Sequence, residues 1–469
     1  MSPGEKGEDI ETMTGTGPAN GQGDEALHQR FLPLSAYMTA PADPCPPLST
    51  DIVTDAVVIG GGWTGLHAAL SLREKGMDVA LVEQFHCGYG GSGRSGGHLV
   101  GPGKEMRRFF KNPDSDAARQ YARYIARVVD IAEAKLSAYG IEADYIPSGN
   151  LFGATHPKML QETAALAQAA QRAGFEVEHW DERDCRTREL PTAWLGGMYC
   201  PRGGTLNPGK YVLGLRDAAK RAGVKLFENT PVTAIEDGQP ATLRTPEGSV
   251  RANRVIIAAG TFTPTTLKRL TNRVATFRIG AFETAPLSEF QRDRLGWPNR
   301  EGLVSMHNVI EAYRLTAQGT IVANTKRIFA TFGNRPRTRY EPGIFEPMVR
   351  GFRDRFPELR DVAVESLWAG WCGLTPDMFP RIEVAGKHGN ILSGIGFNGH
   401  GVAPTAAMGE TLACLAAGED HPHLALLQRR TMPWPPEPIR WLAVSTFLRW
   451  LDFGDAITDR QLRRRAGQG

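Results

Sequence analysis

Residues 55 to 83, DAVVIGGGWTGLHAALSLREKGMDVALVE, constrain the fold more than any other stretch of this chain. An apolar run (Ala56 to Ile59) ends in Gly60-Gly61-Gly62-Trp63-Thr64-Gly65, a helical pattern follows, and a second apolar run (Val79 to Val82) closes on Glu83. Strand, glycines, helix, strand and acid in this order are the signature of a βαβ unit that binds a dinucleotide. Gly60 allows the tight turn, Gly62 lets backbone approach a pyrophosphate, and Gly65 lets the helix pack closely on the sheet. The helix start, Trp63 and Thr64 included, offers N–H groups and partial positive charge to phosphate. Glu83 stands where an acid accepts hydrogen bonds from a ribose 2′-OH.

The segment after Glu83 narrows the ligand. Gly88-Tyr89-Gly90-Gly91-Ser92-Gly93-Arg94-Ser95-Gly96-Gly97-His98 has little side chain to pack, so its backbone can press on a flat ligand. Ser92, Arg94 and Ser95 add donors for phosphate or for the polar edge of a ring. Here the chain resembles the D-amino-acid oxidase-like (glycine oxidase/sarcosine oxidase) family of FAD-dependent oxidoreductases. Gly-Ser-Gly-Arg-Ser-Gly-Gly-His is similar to the GASGRNGGQ loop of its gamma-glutamylputrescine oxidase-like members. The resemblance implies FAD as cofactor, with Gly91, Ser92, Arg94, Ser95, Gly96, Gly97 and His98 around it.

Two later stretches extend the resemblance. Val255 to Thr261 is an apolar run ending in small residues, a parallel strand whose tip, Ala259-Gly260, lies near the cofactor. The family places a backbone contact to adenine at a valine like Val232. Asn390 to Val402 reads as a strand, a glycine-rich turn and a helix from about Ala403, so Gly396, Gly399, His400, Gly401 and Val402 are placed at the flavin edge. A helix dipole there offsets the negative charge of reduction.

The expected fold is α/β, a Rossmann-like FAD-binding domain with an interleaved antiparallel-sheet substrate domain. Residues 51–105, 195–265 and 365–420 carry the dinucleotide signals; 106–194 and 266–364 carry none and form the substrate domain. Runs of alternating polarity at 274–284, 311–315 and 320–324 argue for the antiparallel sheet. Residues 1–50, rich in Gly, Pro, Thr, Glu and Asp, read as a mostly disordered tail that orders from Phe31 onward. Residues 421–469 form a C-terminal tail with a short aromatic helix from Ile439 to Phe453. Its basic face is thin, which favours docking on the protein or on a second subunit over lying on a membrane.

In a chain of 469 residues, 54 basic side chains are nearly offset by 51 acidic ones, for a net charge of +3, so neither nucleic acid nor an anionic membrane is an obligatory partner. No run of 18 apolar residues or signal-peptide pattern occurs, and the expected location is cytoplasmic. The six cysteines lack CxxC spacing and are expected as reduced thiols. Some family members attach FAD through a C-terminal cysteine, but Cys372 is out of register with that position against Thr375-Pro376-Asp377. Ser95 holds the place of the histidine that tethers flavin in others. FAD is therefore expected to be noncovalent.

No paired carboxylates, metal-ligand cluster or nucleophile elbow appears. The expected reaction is oxidation of a C–N bond in an amine or amino acid, a secondary or gamma-glutamylated amine, by hydride transfer to flavin. Imine hydrolysis follows, and reoxidation by O2 gives H2O2. Alternatives are a dehydrogenase passing electrons to a quinone or carrier, a non-catalytic flavin-binding sensor or assembly subunit, and a tRNA-modifying flavoprotein, for which the basic stripe is missing. Among candidate catalytic residues, His400 stabilises reduced flavin or shapes its turn, and His98 lines the pocket or packs under the loop. Trp368 and Trp371 form an aromatic wall or core, while Tyr313 and Arg314 sit where the substrate sheet faces the flavin. Arg314 is a candidate to bind a carboxylate. A homo-oligomer is compatible with all of this.

Overall fold

The computed structural model describes residues 27–101, 106–263, 270–335 and 338–466, with side chains through 463. Among the described residues there are two eight-stranded sheets, a two-stranded ribbon of His98–Leu99 with Gly204–Thr205, and the helices beside them. The first sheet orders its strands Arg381–Ala385, Ile391–Ile395, Ser249–Ile257, Ile52–Ile59, Val79–Val82 and Lys225–Phe227. The four junctions from Ile391–Ile395 to Lys225–Phe227 are parallel, and Arg381–Ala385 closes one edge antiparallel. Ala241–Arg244 and Ala234–Glu236 branch from the Ser249–Ile257 strand as an antiparallel flap.

Burial on both faces explains why these strands read as unbroken apolar runs. Ala56 and Val58 face the helices Trp63–Glu74, Pro208–Arg221 and Pro404–Ala417. Val57 and Ile59 face the flap with Leu243, Val250 and Val255. The strand tips therefore converge with three helix N-termini on one edge, the position at which open α/β sheets bind ligands.

The second sheet runs Val364–Leu374, Ala275–Thr284, Ile321–Ala330, Glu311–Leu315, Gly302–Ser305, Asn150–Ala154, Gly196–Cys200 and Glu178–Trp180. It is mixed, where alternation alone suggested an antiparallel sheet. Gly302–Ser305 pairs parallel with Asn150–Ala154 because the two strands arrive from separate parts of the chain. Gly196–Cys200 and Val364–Leu374, which the spacing of motifs grouped with the dinucleotide segments, hydrogen-bond into this sheet.

Both ends of the described chain are stapled to the body. Residues 1–26 of the expected N-terminal tail lie outside the described residues. From Leu27 the chain packs on Tyr340 and Phe345, and the buried Glu228 carboxylate accepts from the Cys45 and Cys87 amides at 2.7 and 2.8 Å while pairing with Arg216. The C-terminal helix spans Ile439–Ala466, well beyond the expected end at Phe453. Its extra turns are held by Asp455, which caps the amides of Asn308 and Val309 at 2.7 Å each, and by Asp459, paired with Arg355 and Lys326.

Candidate functional site

The glycines of the first turn do three different jobs. Gly60 has φ +109°, and a Cβ there would stand 2.7 Å from the Ala258 carbonyl oxygen of the neighbouring strand. Gly65 lets the helix touch the strand: a methyl would overlap the Gly60 carbonyl oxygen and lie 3.3 Å from Val58 Cγ1. Gly62 caps the helix in an extended conformation with no side-chain cap, and a Cβ on it would meet only Ser92 Oγ, at 3.1 Å. So Gly60 and Gly65 are required by the fold, whereas the space at Gly62 is not needed by the protein itself.

Glu83 holds this loop from below. Its carboxylate accepts from the Gly61 amide at 2.7 Å and the Phe85 amide at 3.0 Å. Burial pushes its pKa up, opposed by those two N–H groups. Serine 92 completes the loop by accepting from the Trp63 amide at 3.0 Å.

The second glycine loop is a short 3₁₀ turn, Ser92–Arg94, gripped from behind. The Arg94 guanidinium, 3% exposed, donates to the carbonyls of Tyr89 (3.0 Å), Pro33 (2.6 Å) and Ala369 (3.2 Å) and stacks 4.7 Å over the Trp371 ring. No carboxylate partners it among the described residues, and burial lowers its pKa to about 10. Trp368 Nε1 donates to the Arg94 carbonyl at 3.1 Å, and Tyr37 donates its hydroxyl to the Ser95 carbonyl. The Asn324 carboxamide lies so close over Gly96 that a Cβ there would come 2.5 Å from its Oδ1.

These elements enclose a cleft of about 1520 Å³, counted out to its solvent-filled mouth. Of the residues singled out from sequence, Gly60, Gly62, Trp63, Thr64, Glu83, Gly91, Ser92, Arg94, Ser95, Gly96, Val232, Ala259, Gly260, Trp371, Gly396, Gly399 and Gly401 line it. Gly65 acts from behind through packing. Gly97, with φ +82°, abuts the Leu206 carbonyl, and Val402 is buried in the helix core.

Five of the six residues put forward for catalysis do not line the cleft. Tyr313 points away from it into the second core, against Phe352 and Phe356, with its hydroxyl on Glu311 at 2.9 Å. Arg314, its neighbour on the strand, takes the opposite face but is 3% exposed and donates to the Gly96 carbonyl at 2.6 Å. It braces the loop, with its guanidinium 5.6 Å over the Tyr37 ring, and is not among the described residues of the cleft wall. His98 packs under the loop with Nδ1 3.2 Å from Asn150 Oδ1, and burial lowers its pKa to about 4. His400 turns its Nδ1 onto the Asn398 carbonyl at 3.2 Å, while its glycine neighbours form the wall. Trp368 also lies outside, since three residues along a strand reverse the face that Trp371 presents.

The cleft wall holds residues that sequence reasoning passed over, Phe262, Ile279, Asn324, Gly370 and Asn398 among them, and also Cys372, which was weighed only as a point of covalent attachment. Asn398 accepts from the Thr375 amide at 2.9 Å and donates to Gly396 at 2.6 Å, fixing the C-terminal turn. The Cys372 thiol is pushed up to about 12 by burial and is neutral at physiological pH. Trp63 Nε1, Trp371 Nε1, Asn324 Oδ1 and one Arg94 terminal nitrogen are buried without a protein partner. Buried polar atoms are rarely left so. Four around one elongated cleft, together with the open space at Gly62, fit a long polar ligand with a phosphate near the helix start.

Comparison with known proteins agrees with that geometry. The family model DAO, FAD dependent oxidoreductase, matches residues 55–415. Gamma-glutamylputrescine oxidoreductase of Escherichia coli K12 is 28% identical over 407 residues, 86% of this chain and 93% of that protein. Glycine oxidase of Bacillus subtilis is 23% identical over 372 residues, 78% of this chain and 94% of that protein. Among solved structures, glycine oxidase from Geobacillus kaustophilus aligns with a TM-score of 0.68 at 18% identity, covering 81% of this chain and 100% of that one. L-proline dehydrogenase from P. horikoshii gives 0.67 at 18% identity, covering 85% and 100%.

Proposed function

The chain belongs to the DAO family of FAD dependent oxidoreductases, and from that premise we propose that it oxidises a C–N bond of an amine, with the imine hydrolysed to a carbonyl and a smaller amine and O2 reduced to H2O2. One observation carries this reading. The titratable side chains lining the cleft are Glu83, Tyr89, Arg94 and Cys372. Glu83 is committed to two backbone amides, Arg94 to three carbonyls, and the Cys372 thiol is neutral. No lysine, histidine or aspartate is among the described residues of the wall. The hydroxyls of Ser92 and Ser95 in the wall have no such base to activate them, so acyl or phosphoryl transfer from these side chains has no support. Hydride abstraction needs neither a nucleophile nor a general base.

The chemistry that FAD supplies when bound is acceptance of hydride from a C–H next to nitrogen. Gly60, Gly62 and the helix start at Trp63 and Thr64 would hold its pyrophosphate, Glu83 and Val232 its adenosine, and Gly396 to Gly401 the edge of its ring. We place no covalent bond to Cys372, whose high pKa leaves little thiolate. The protein's part is to desolvate and orient the amine. Desolvation disfavours an ammonium ion, so the substrate nitrogen loses its proton on entry. Phe262, Ile279 and Trp371 provide the apolar wall for that step, and Asn324 a polar group in the same lining, beside Gly96. Arg314 donates to Gly96 and is not among the described residues of the wall, and Arg94 keeps one unpartnered terminal nitrogen, which cannot clasp an α-carboxylate through two parallel bonds. The reading is therefore an amine, including a gamma-glutamylated amine whose carboxylate is remote from the reacting carbon, in preference to an α-amino acid.

The test is peroxide release from the purified yellow protein across a panel of amines and α-amino acids, with anaerobic bleaching measured in parallel. Bleaching without peroxide moves the acceptor to a quinone or carrier. Bleaching by α-amino acids alone overturns the substrate class, and no bleaching by either overturns the reading.

A further inference from the structure

The helix Ile439–Ala466 contains three carboxylates, Asp452, Asp455 and Asp459, against six arginines. The fold turns all three toward the protein. Asp452 pairs with Arg327 at 2.8 Å, Asp455 caps two backbone amides, and Asp459 pairs with Arg355 and Lys326. Val444 and Leu448 share that inward face with the Ala275–Thr284 strand. What remains outward is apolar and cationic. Ile439, Leu442, Phe447, Trp450, Phe453 and Ile457 are 42–68% exposed, and the stripe from Ile439 to Ile457 runs about 27 Å at 1.5 Å per residue. Phe332, 59% exposed, adjoins it through Trp441 at 6.2 Å between ring centroids.

We propose that this outward face rests in the interface of an anionic lipid surface, with Trp450 and Phe453 inserted among the headgroups. Charge selects this occupant. Arg449 and Arg460 are exposed beside the stripe and carry no ion pair among the described residues, and Arg335 stands exposed near its N-terminal end. A second copy packed antiparallel about Trp450 would set Arg449 against Arg449, with every helix carboxylate already turned inward, and like charges so placed disfavour association. Phospholipid headgroups supply the missing negative charge, and aromatic side chains with a polar edge favour that layer. No helix among the described residues is long and apolar enough to cross a membrane, so the contact is peripheral. It does not depend on the identity of the amine.

The experiment is flotation of the full-length, flavin-loaded protein with phosphatidylcholine vesicles, with and without phosphatidylglycerol. The protein should float with the anionic vesicles about tenfold more than with neutral ones and lose most of that preference in high salt. Trp450→Glu with Phe453→Glu should abolish flotation while leaving the flavin-to-protein ratio and the rate of bleaching by amine unchanged. Arg449→Gln should weaken it about fivefold, the worth of one basic residue near such a surface. Equal flotation with both vesicle types, or none with either, overturns the proposal. A dimer in light scattering that the double variant splits, with no flotation, assigns the face to a second copy instead.

Discussion

Two glycines three residues apart should fail in opposite ways. In Gly65→Ala the new methyl overlaps the Gly60 carbonyl oxygen, 3.1 Å from its carbon and 3.3 Å from Val58 Cγ1. None of these atoms belongs to a flexible chain end, so the helix must lift from the sheet. Overpacking of this kind costs about 3 kcal/mol, or roughly 3–6 °C for a chain this long, and it should appear in the flavin-free protein. In Gly62→Ala the methyl meets one rotatable hydroxyl, Ser92 Oγ, and the backbone is already extended. The flavin-free protein should melt within about 2 °C of wild type, because loss of a glycine N-cap and reduced unfolded-state entropy oppose each other at about 1 kcal/mol each. Its flavin affinity should fall by about 100-fold or more, roughly 2.7 kcal/mol, since the methyl fills the approach to the pyrophosphate. The assays are scanning fluorimetry on protein stripped of flavin and the 450 to 280 nm absorbance ratio after reconstitution. Full flavin loading by Gly62→Ala would refute the placement of the phosphate. An unshifted melting point for Gly65→Ala would refute the packing argument.

Three further outcomes are expected. Acid precipitation should leave the colour in the supernatant for both wild type and Cys372→Ser; colour in the wild-type pellet would show a covalent link. Asn324→Ala should slow bleaching by amine on the order of tenfold with normal flavin content, and an unchanged rate removes it from the substrate wall. The buried cluster at the C-terminal helix should set the acid limit. Burial raises the pKa of Glu311, but Arg355 and Lys326 outweigh it and hold the group down to about 2; Asp459 is lowered in the same way, through His307, Arg355 and Lys326. Depressed carboxylates contribute stability above their unfolded pKa of about 4 and lose it as pH falls toward 2. Melting temperature should then be flat down to about pH 5 and drop below pH 4. Asp459→Asn, which leaves Glu311 as the one carboxylate against both Arg355 and Lys326, should cost about 3 kcal/mol and free the helix to protease; an unchanged cleavage pattern counts against it.

What was legible in the sequence was legible because backbone geometry leaves no substitute. Gly60 needs its positive φ, Gly65 its missing Cβ, and Glu83 sits at a strand end fixed by the length of the helix before it, so residue type and spacing carry the cofactor turn outright. The catalytic wall is different, because it depends on which strand lies opposite which loop. Asn324 meets Gly96 across 228 positions of sequence through sheet order alone, and no local pattern marks it. Tyr313 and Arg314 were read as a pair facing the ligand, yet adjacent strand residues point to opposite faces, and the one on the correct side was claimed by the Gly96 carbonyl. The C-terminal helix repeats the lesson with charge. Its three aspartates offset half of its six arginines in composition, but Arg327, Arg355, Lys326 and two backbone amides draw the aspartates to one side. Net charge is a property of the segment, whereas the surface a partner meets is what remains after the fold has used its ion pairs. That residue of unused groups, Asn324 in the cleft and the aromatic stripe outside it, is where function not fixed by the family is to be sought.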